Sequence, residues 1–484
     1  MKKVYNILGI ILSIALLWSC SSDFIDKDPK TSISNEKALS TYDKLVLATN
    51  GLYAPLLDRS LYGESSILAP DVMADNVVLS SVKASGRYIQ EFNLTMGSND
   101  GPSDGVYSMG YYIICAACNV INAIEANKFD RQGATDAQVN QLLGEALFIR
   151  AMVHFDLCRW FAYPYHFTDT KLAPGADGAG GHPGIPVVLT TEIGKPARST
   201  VHKVYEQVIS DLKRAADLMT EKKVCFWASS EVAKALLARV YLYQGNNQDA
   251  ATMATEVIGS HRYELTPAAD FVKYWALEGQ KETIFELQSN KTDDYFYGGN
   301  NNPGGVYLYY GDLVAANELA TSYEEGDVRA KLVVLNKDGE YTVNKYPGRE
   351  GTGNVEINNP HILRLAEMYL IYAEAVLRGG VGGDKDKAVG YFNKLRERAF
   401  GNQSANVENI TLNDILDERS REFYWECFRR TDLIRYGLYT SGSYVWQWKG
   451  GTKDGIGVSD NLNLFPLPVT DVMANPNLVQ NIGY

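Results

Sequence analysis

Two stretches of this 484-residue chain repeat one layout, and that layout decides what much of the chain can become. Residues 229–244 and 247–260 read as two helices joined by Gly245-Asn246, and residues 362–378 and 385–400 read the same way around glycines 379–383. In each pair the first helix carries small residues near its end and aromatics on one face. These are Ala238, Tyr241 and Tyr243 in one pair, and Ala366, Tyr369, Tyr372 and Ala373 in the other. The second helix answers with Ala251 and Ala254, or with Ala388 and Tyr391. Small residues let two helix backbones approach closely, as in a tetratricopeptide-like hairpin. The hairpin keeps an apolar side that only a neighbouring hairpin can bury.

Helical periodicity dominates elsewhere too. Residues 36–57 and 106–126 read as helices, and 137–161 is the strongest. There Leu142, Leu143, Ala146, Leu147, Ile149, Ala151, Met152, Phe155 and Phe161 form a wide apolar stripe that stops at Tyr163-Pro164. A Gly- and Pro-rich loop covers 173–186, and Ser199-Thr200 caps a helix over 201–219. Two segments break the pattern. Residues 63–105 are irregular and rich in Asp, Ser and Gly. In 261–359, residues 282–287 alternate like a strand and 293–310 form a loop dense in Gly, Asn and Tyr. Residues 415–436 make a charged amphipathic helical region, and the end from 464 is rich in Pro and Asn.

The first twenty residues set the compartment. Lys2 and Lys3 precede an apolar run over 7–17, followed by Leu17-Trp18-Ser19-Cys20, the aliphatic–variable–small–cysteine pattern of a lipoprotein signal. The run is shorter than the roughly 20 apolar residues a spanning helix needs. Cleavage before Cys20 leaves a thiol for lipid attachment, and several acyl chains anchor a protein nearly permanently. The alternative is an ordinary secretory signal with a coincidental cysteine. Residues 21–30 read as a polar tether, and no second apolar stretch reads as long enough to span. The formal charge of −12 becomes −14 once Lys2 and Lys3 leave with the leader, which argues against nucleic acid. Cys115, Cys118, Cys158, Cys225 and Cys427 are odd in number and follow no disulfide framework. The Cys115–Cys118 CxxC has no second pair and no neighbouring histidine, so zinc is not expected.

Six segments, in order, resemble the SusD/RagB family of nutrient-binding outer-membrane lipoproteins. They are Glu145-Ala146-Leu147-Phe148-Ile149-Arg150-Ala151 through Leu157, and Gly184-Ile185-Pro186 with Val204-Tyr205 and Asp211-Leu212. Next come Leu363 through Glu367 with Tyr372-Ala373-Glu374-Ala375, and Asn393 through Ala399. The last two are Ile415 through Glu422 with Arg429 through Arg435, where Tyr436 replaces the usual tryptophan, and Pro466-Leu467-Pro468 with Asn475-Pro476 and Gln480 through Tyr484. The resemblance implies a mostly α protein: a right-handed superhelix of four tetratricopeptide-like helix pairs, with an irregular loop-rich ligand-binding part and few short strands. It divides the chain into a lipoprotein signal (1–19), a lipidated tether (20–35) and one SusD-like domain (36–484). Within that domain the scaffold covers about 36–60, 106–260 and 360–400, the insertions about 61–105 and 261–359, and a C-terminal segment 401–484. It further implies an oligosaccharide ligand, a SusC-like TonB-dependent transporter as partner, and a lipid-anchored place on the cell-surface side of the outer membrane. Glu367, Glu374, Arg396, Arg398, Glu418, Arg419 and Arg429 are expected to hold the scaffold together as ion pairs.

A sugar site needs flat aromatic faces and forked polar groups. Tyr295, Tyr297, Tyr307, Tyr309 and Tyr310 in the second insertion, with Asp71, Arg87 and Tyr88 in the first, are the candidates. Asp75, Asn76 and Tyr107 stand nearby in sequence. Half of these tyrosines serving only to pack the loops is the competing reading. The Asp and Asn oxygens are suitable donors for calcium, though no EF-hand spacing occurs; no other cofactor is expected. There is no GxSxG, HExxH or P-loop, and no enzyme is expected. The sequence leaves three alternatives to oligosaccharide binding: a peptide binder on the same scaffold, a structural or adhesion lipoprotein, and a glycoside hydrolase, whose paired carboxylates no motif betrays.

Overall fold

The structure, a computed structural model, describes residues 35–221, 223–290, 303–379, 384–437 and 464–484. Cys20, Tyr295 and Tyr297 lie outside these residues, as do the leader and tether. Helices dominate, and the strands are short.

The long helices follow one another in space as in sequence. Gly101–Glu125 packs on Asp136–Phe161, then Val201–Leu218, Ser230–Gln244 and Asn247–Gly259 each pack on the one before; Leu365–Leu377 joins Asn247–Gly259, and Lys385–Phe400 closes the stack. Their starts were legible. Thr135 accepts from Gln138 N–H in a reciprocal capping box, and Thr200, Ser229 and Asp384 cap the next helices through side-chain oxygens. Gly245 and Gly401 end two of them in the left-handed region. The small residues of the two hairpins, Ala238, Ala251, Ala254, Ala366, Ala373 and Ala388, are all buried. Earlier in the stack a Cβ on Gly110 would stand 2.8 Å from Leu157 Cδ2.

Four expectations need correction. The helix read over 36–57 is three pieces, Asn35–Ala38, Tyr42–Asn50 and a 3-10 turn Ala54–Leu57, because Thr41 restarts the helix as a cap and Pro55 cannot continue one. The helix read over 415–436 divides into Leu412–Phe423 and Arg429–Arg435, since Trp425 and Cys427 take positive φ of 60° and 66°. The loop read over 293–310 ends as a π-helical turn, Gly305–Tyr310. Gly101–Glu125 is long and apolar enough to cross a membrane by composition, contrary to the count from sequence, but half of its most apolar window is buried in the protein and its stripe faces the Asp136–Phe161 helix.

The two insertions are not separate loops. Strand β1 (Val77–Leu79) of the first pairs antiparallel with β3 (Leu313–Ala315) of the second, Val77 opposite Ala315 and Leu79 opposite Leu313. β5 (Tyr341–Val343) and β4 (Val333–Leu335) complete a four-stranded sheet in the order β1-β3-β5-β4. The alternating segment near residue 283 is β2 (Thr283–Glu286), paired with β6 (His361–Arg364), which leads into the Leu365–Leu377 helix.

Behind the sheet lies a buried ion network. Arg364 bonds Glu282 (2.9 Å), Glu422 (2.8 Å) and Glu426 (2.8 Å). Arg398 bonds Glu282 and Glu422, Arg329 bonds Asp327, Glu418 and Glu422, and Lys345 bonds Glu426. The motif residues expected to be scaffold are so placed: Glu367 with Arg239, Glu374 with Arg378 and Arg435, Arg396 with Glu324, Arg419 with Asp432, and Arg429 with Asp75. Burial raises the Glu374 carboxyl, but Arg435 and Arg378 outweigh it and hold it down to about 2.

Candidate functional site

The β1–β3 pairing places Arg87, from the first insertion, against Tyr310, from the second. The guanidinium carbon lies 4.0 Å from the Tyr310 ring centre, and Arg87 Nη1 donates to Asp312 Oδ2 at 2.7 Å. Ser85 N–H donates to the other oxygen of Asp312, so one fully buried carboxylate fixes both the backbone and the side chain of this turn. Burial alone would lower the Arg87 pKa, but the Asp312 bond and charge win and hold the cation. Tyr309 stands edge-on to Tyr310 with centroids 5.4 Å apart and is 65% exposed. The result is a rigid aromatic and cationic shelf built on buried anchors. Tyrosine rings bind at low entropic cost because few torsions must be frozen.

Beside the shelf opens a cleft of about 390 Å³ lined by Arg59, Ser60, Glu64, Ser65, Arg87, Tyr88 and Glu91. Tyr88 donates to Glu64 at 2.7 Å, and Arg59 pairs with the same carboxylate at 3.0 Å. Tyr88 and Leu94 both take left-handed backbone, with φ of 57° and 53°, at the two ends of the short helix Ile89–Asn93. Such strain persists only where the surroundings over-determine it, and it clusters at ligand clamps. Burial, then the facing Asp100, raises the Glu91 carboxyl, so a proton is held more readily between these two acids than on a free carboxylate. The cleft thus mixes guanidiniums, hydroxyls and carboxyls, a set that suits hydroxyl groups.

The structure brings together Arg87, Tyr88, Tyr309 and Tyr310 from the sequence candidates. It places Asp71 and Tyr307 in the core, which corrects their assignment as ligand contacts. Tyr307 is 1% exposed and stacked on Trp425 with centroids 3.4 Å apart, so neither face is open to a solute. Asp71 is fully buried, accepts from Cys427 N–H at 3.3 Å, and belongs to the Ser65–Val72 helix, whose residues are all buried. Asp75 is spent on Arg429, and Asn76 and Tyr107 are buried. Arg59, Ser60, Glu64 and Glu91 were missed. No periodicity marks them; only the packing of the short helices converges them, and the left-handed Tyr88 has no sequence signal. Among the described residues, no group of three or more His, Cys, Asp or Glu side chains is placed to hold a metal ion.

Residues 225–484 match the SusD family, and residues 23–242 match a family described as starch-binding and associating with the outer membrane. The starch-binding protein SusD of Bacteroides thetaiotaomicron is 46% identical over 123 residues, which is 25% of this chain and 21% of that protein. SusD-like protein P2 of Formosa agariphila is 27% identical, with 99% of each chain covered. The crystal structure of a SusD superfamily protein from Bacteroides thetaiotaomicron superposes with a TM-score of 0.79 at 28% identity, covering 91% of this chain and 99% of that one.

Proposed function

Because the chain belongs to the SusD family, we propose that it is an outer-membrane lipoprotein that binds oligosaccharides on the Arg87–Tyr309–Tyr310 shelf and its cleft, and passes them to a SusC-like TonB-dependent transporter. The observation that carries the binding role is the union of the two insertions. Residues more than 200 positions apart meet as an exposed ring pair backed by a fixed guanidinium, and such flat faces beside a forked donor suit C–H faces and vicinal hydroxyls. The starch-binding description of the matched N-terminal family supports a glycan over a peptide. The reading assigns the protein no bond-making step. The Cys20 lipid tethers it, and the transporter supplies the pore.

A glycan array followed by calorimetry tests this. An oligosaccharide should bind at micromolar to millimolar strength, roughly −4 to −8 kcal/mol. Arg87→Ala and Tyr309→Ala should each cost about 1 kcal/mol or more, the order of one stacked face. Unchanged affinity in both variants moves the site elsewhere. For the partner, mild-detergent purification of a tagged chain should recover a large β-barrel protein; recovery of this lipoprotein alone removes the transport role and favours adhesion.

A further inference from the structure

A second cleft lies in the helical scaffold and shares no lining residue with the first. Its volume is about 630 Å³, within the roughly 300–1,000 Å³ of small-molecule sites. Its walls come from the loop after the Asp136–Phe161 helix, the turn between Ser230–Gln244 and Asn247–Gly259, the ends of Leu365–Leu377 and Arg429–Arg435, and the start of Leu412–Phe423. The walls are fixed. Phe167 stacks face to face on Tyr163 with centroids 3.9 Å apart, and Gly245 lies so close to His166 that a Cβ there would meet its ring nitrogen at 2.2 Å. The groups that matter are His166, Thr168, Asp169, Tyr243, Asn247 and Arg378.

Their chemistry selects a ligand class. An anion would meet the Asp169 carboxylate in the lining, and the guanidiniums here are already engaged, Arg378 with the buried Glu374 and Arg435 with Glu374 and Asp432. A peptide added as a strand would need a sheet edge, and the walls are helix ends and turns. What remains is a mixed set: the Asp169 carboxylate and the Asn247 amide oxygen as acceptors, the Arg378 fork and the Thr168 hydroxyl as donors, and the His166 ring as a flat face. Two groups lining the cleft are also unspent, since Asn247 Oδ1 and Tyr243 Oη are buried without a hydrogen-bond partner. Neutral sugars present hydroxyls that donate and accept at once, together with C–H faces for a ring. We propose that this cleft is a second saccharide site, for a short neutral oligosaccharide, built on the scaffold and independent of the shelf.

The test uses His166, which is exposed in the cleft, while His261 is exposed elsewhere and serves as the internal control. The full chain is treated with diethyl pyrocarbonate in the presence of neutral di- and trisaccharides of glucose, mannose, galactose and xylose, and acylation of each histidine is followed by mass spectrometry. Occupancy slows His166 modification by a factor of one plus the ligand concentration over Kd, about tenfold at ten times Kd, and leaves His261 unchanged. Asn247→Leu and Asp169→Asn should each abolish the protection with the melting temperature retained, and Arg87→Ala should leave it intact. A His166 to His261 ratio that no sugar alters overturns the proposal. Protection that survives both cleft variants and disappears in Arg87→Ala overturns it too, because the effect then comes from the shelf.

Discussion

Asp71→Asn should make the protein more stable near neutral and alkaline pH. Asp71 is fully buried in the Ser65–Val72 helix. One oxygen accepts a single backbone N–H, from Cys427 at 3.3 Å, and the other has no partner. Burial, the largest effect, pushes its carboxyl from 3.8 up to about 8. The folded protein therefore keeps the proton where the unfolded chain has released it. Stability from this group is complete below the unfolded pKa near 4. It declines as pH rises, because the unfolded state gains by ionising alone, and is fully lost once pH passes about 8. At 1.36 kcal/mol per unit the loss is about 4 kcal/mol at pH 7 and somewhat more above pH 8. Asparagine keeps the acceptor and the shape and has nothing to ionise. Melting curves of wild type and variant between pH 4 and pH 9 should diverge, roughly level at the acid end and several degrees apart in favour of the variant at the alkaline end. Comparing the two chains cancels other raised carboxyls such as Glu286, pushed up to about 7, first by burial. An offset that does not change with pH, or a variant that loses ground as pH rises, would show that Asp71 is ionised in the fold and refute the reasoning.

Arg364→Met should destabilise by about 3–5 kcal/mol in chemical denaturation, because Glu282, Glu422 and Glu426 lose a shared buried cation. Tyr307→Ala should cost a similar 3–5 kcal/mol of stability through the cavity against Trp425, whereas Tyr309→Ala should leave the melting temperature within a degree or two and act on binding alone. Cys20→Ala should release the protein from the membrane fraction and end labelling by a palmitate analogue; continued labelling would place the lipid elsewhere.

The scaffold was legible because its signals are local. Periodicity, caps such as Thr135 and Thr200, and the turn glycine Gly245 each report on residues within a few positions, and the helices fall where these place them. The ion-pair residues were named from the family motifs they sit in, and the structure pairs each of them. Legibility failed where the backbone does what side chains do not announce. Trp425, Cys427, Tyr88 and Leu94 sit at positive φ without being glycine, so one predicted helix divides and a cleft acquires its clamp unannounced. The candidate tyrosines divided for the same kind of reason. Tyr307 and Tyr309 belong to one π-helical turn, and which of them faces Trp425 and which faces water depends on contacts made more than 100 residues away.

That division explains why an exposed site can be rigid here. Within Gly305–Tyr310, Tyr307 drives into the core and stacks on Trp425, at the break between the Leu412–Phe423 and Arg429–Arg435 helices; Tyr309 and Tyr310 stay at the surface. Behind Trp425, Lys345 donates to the carbonyls of Glu422 and Tyr424 and to the Glu426 carboxylate, which ties the same break to the ion network. On the opposite side Asp312 fixes Arg87 and the β1–β3 pairing fixes the first insertion. Each ring of the shelf is thus one or two residues from a buried anchor. On the proposed function, a ligand meeting it would spend little of its binding energy on ordering loops, so a small contact area would hold an oligosaccharide firmly enough to select it and loosely enough to release it.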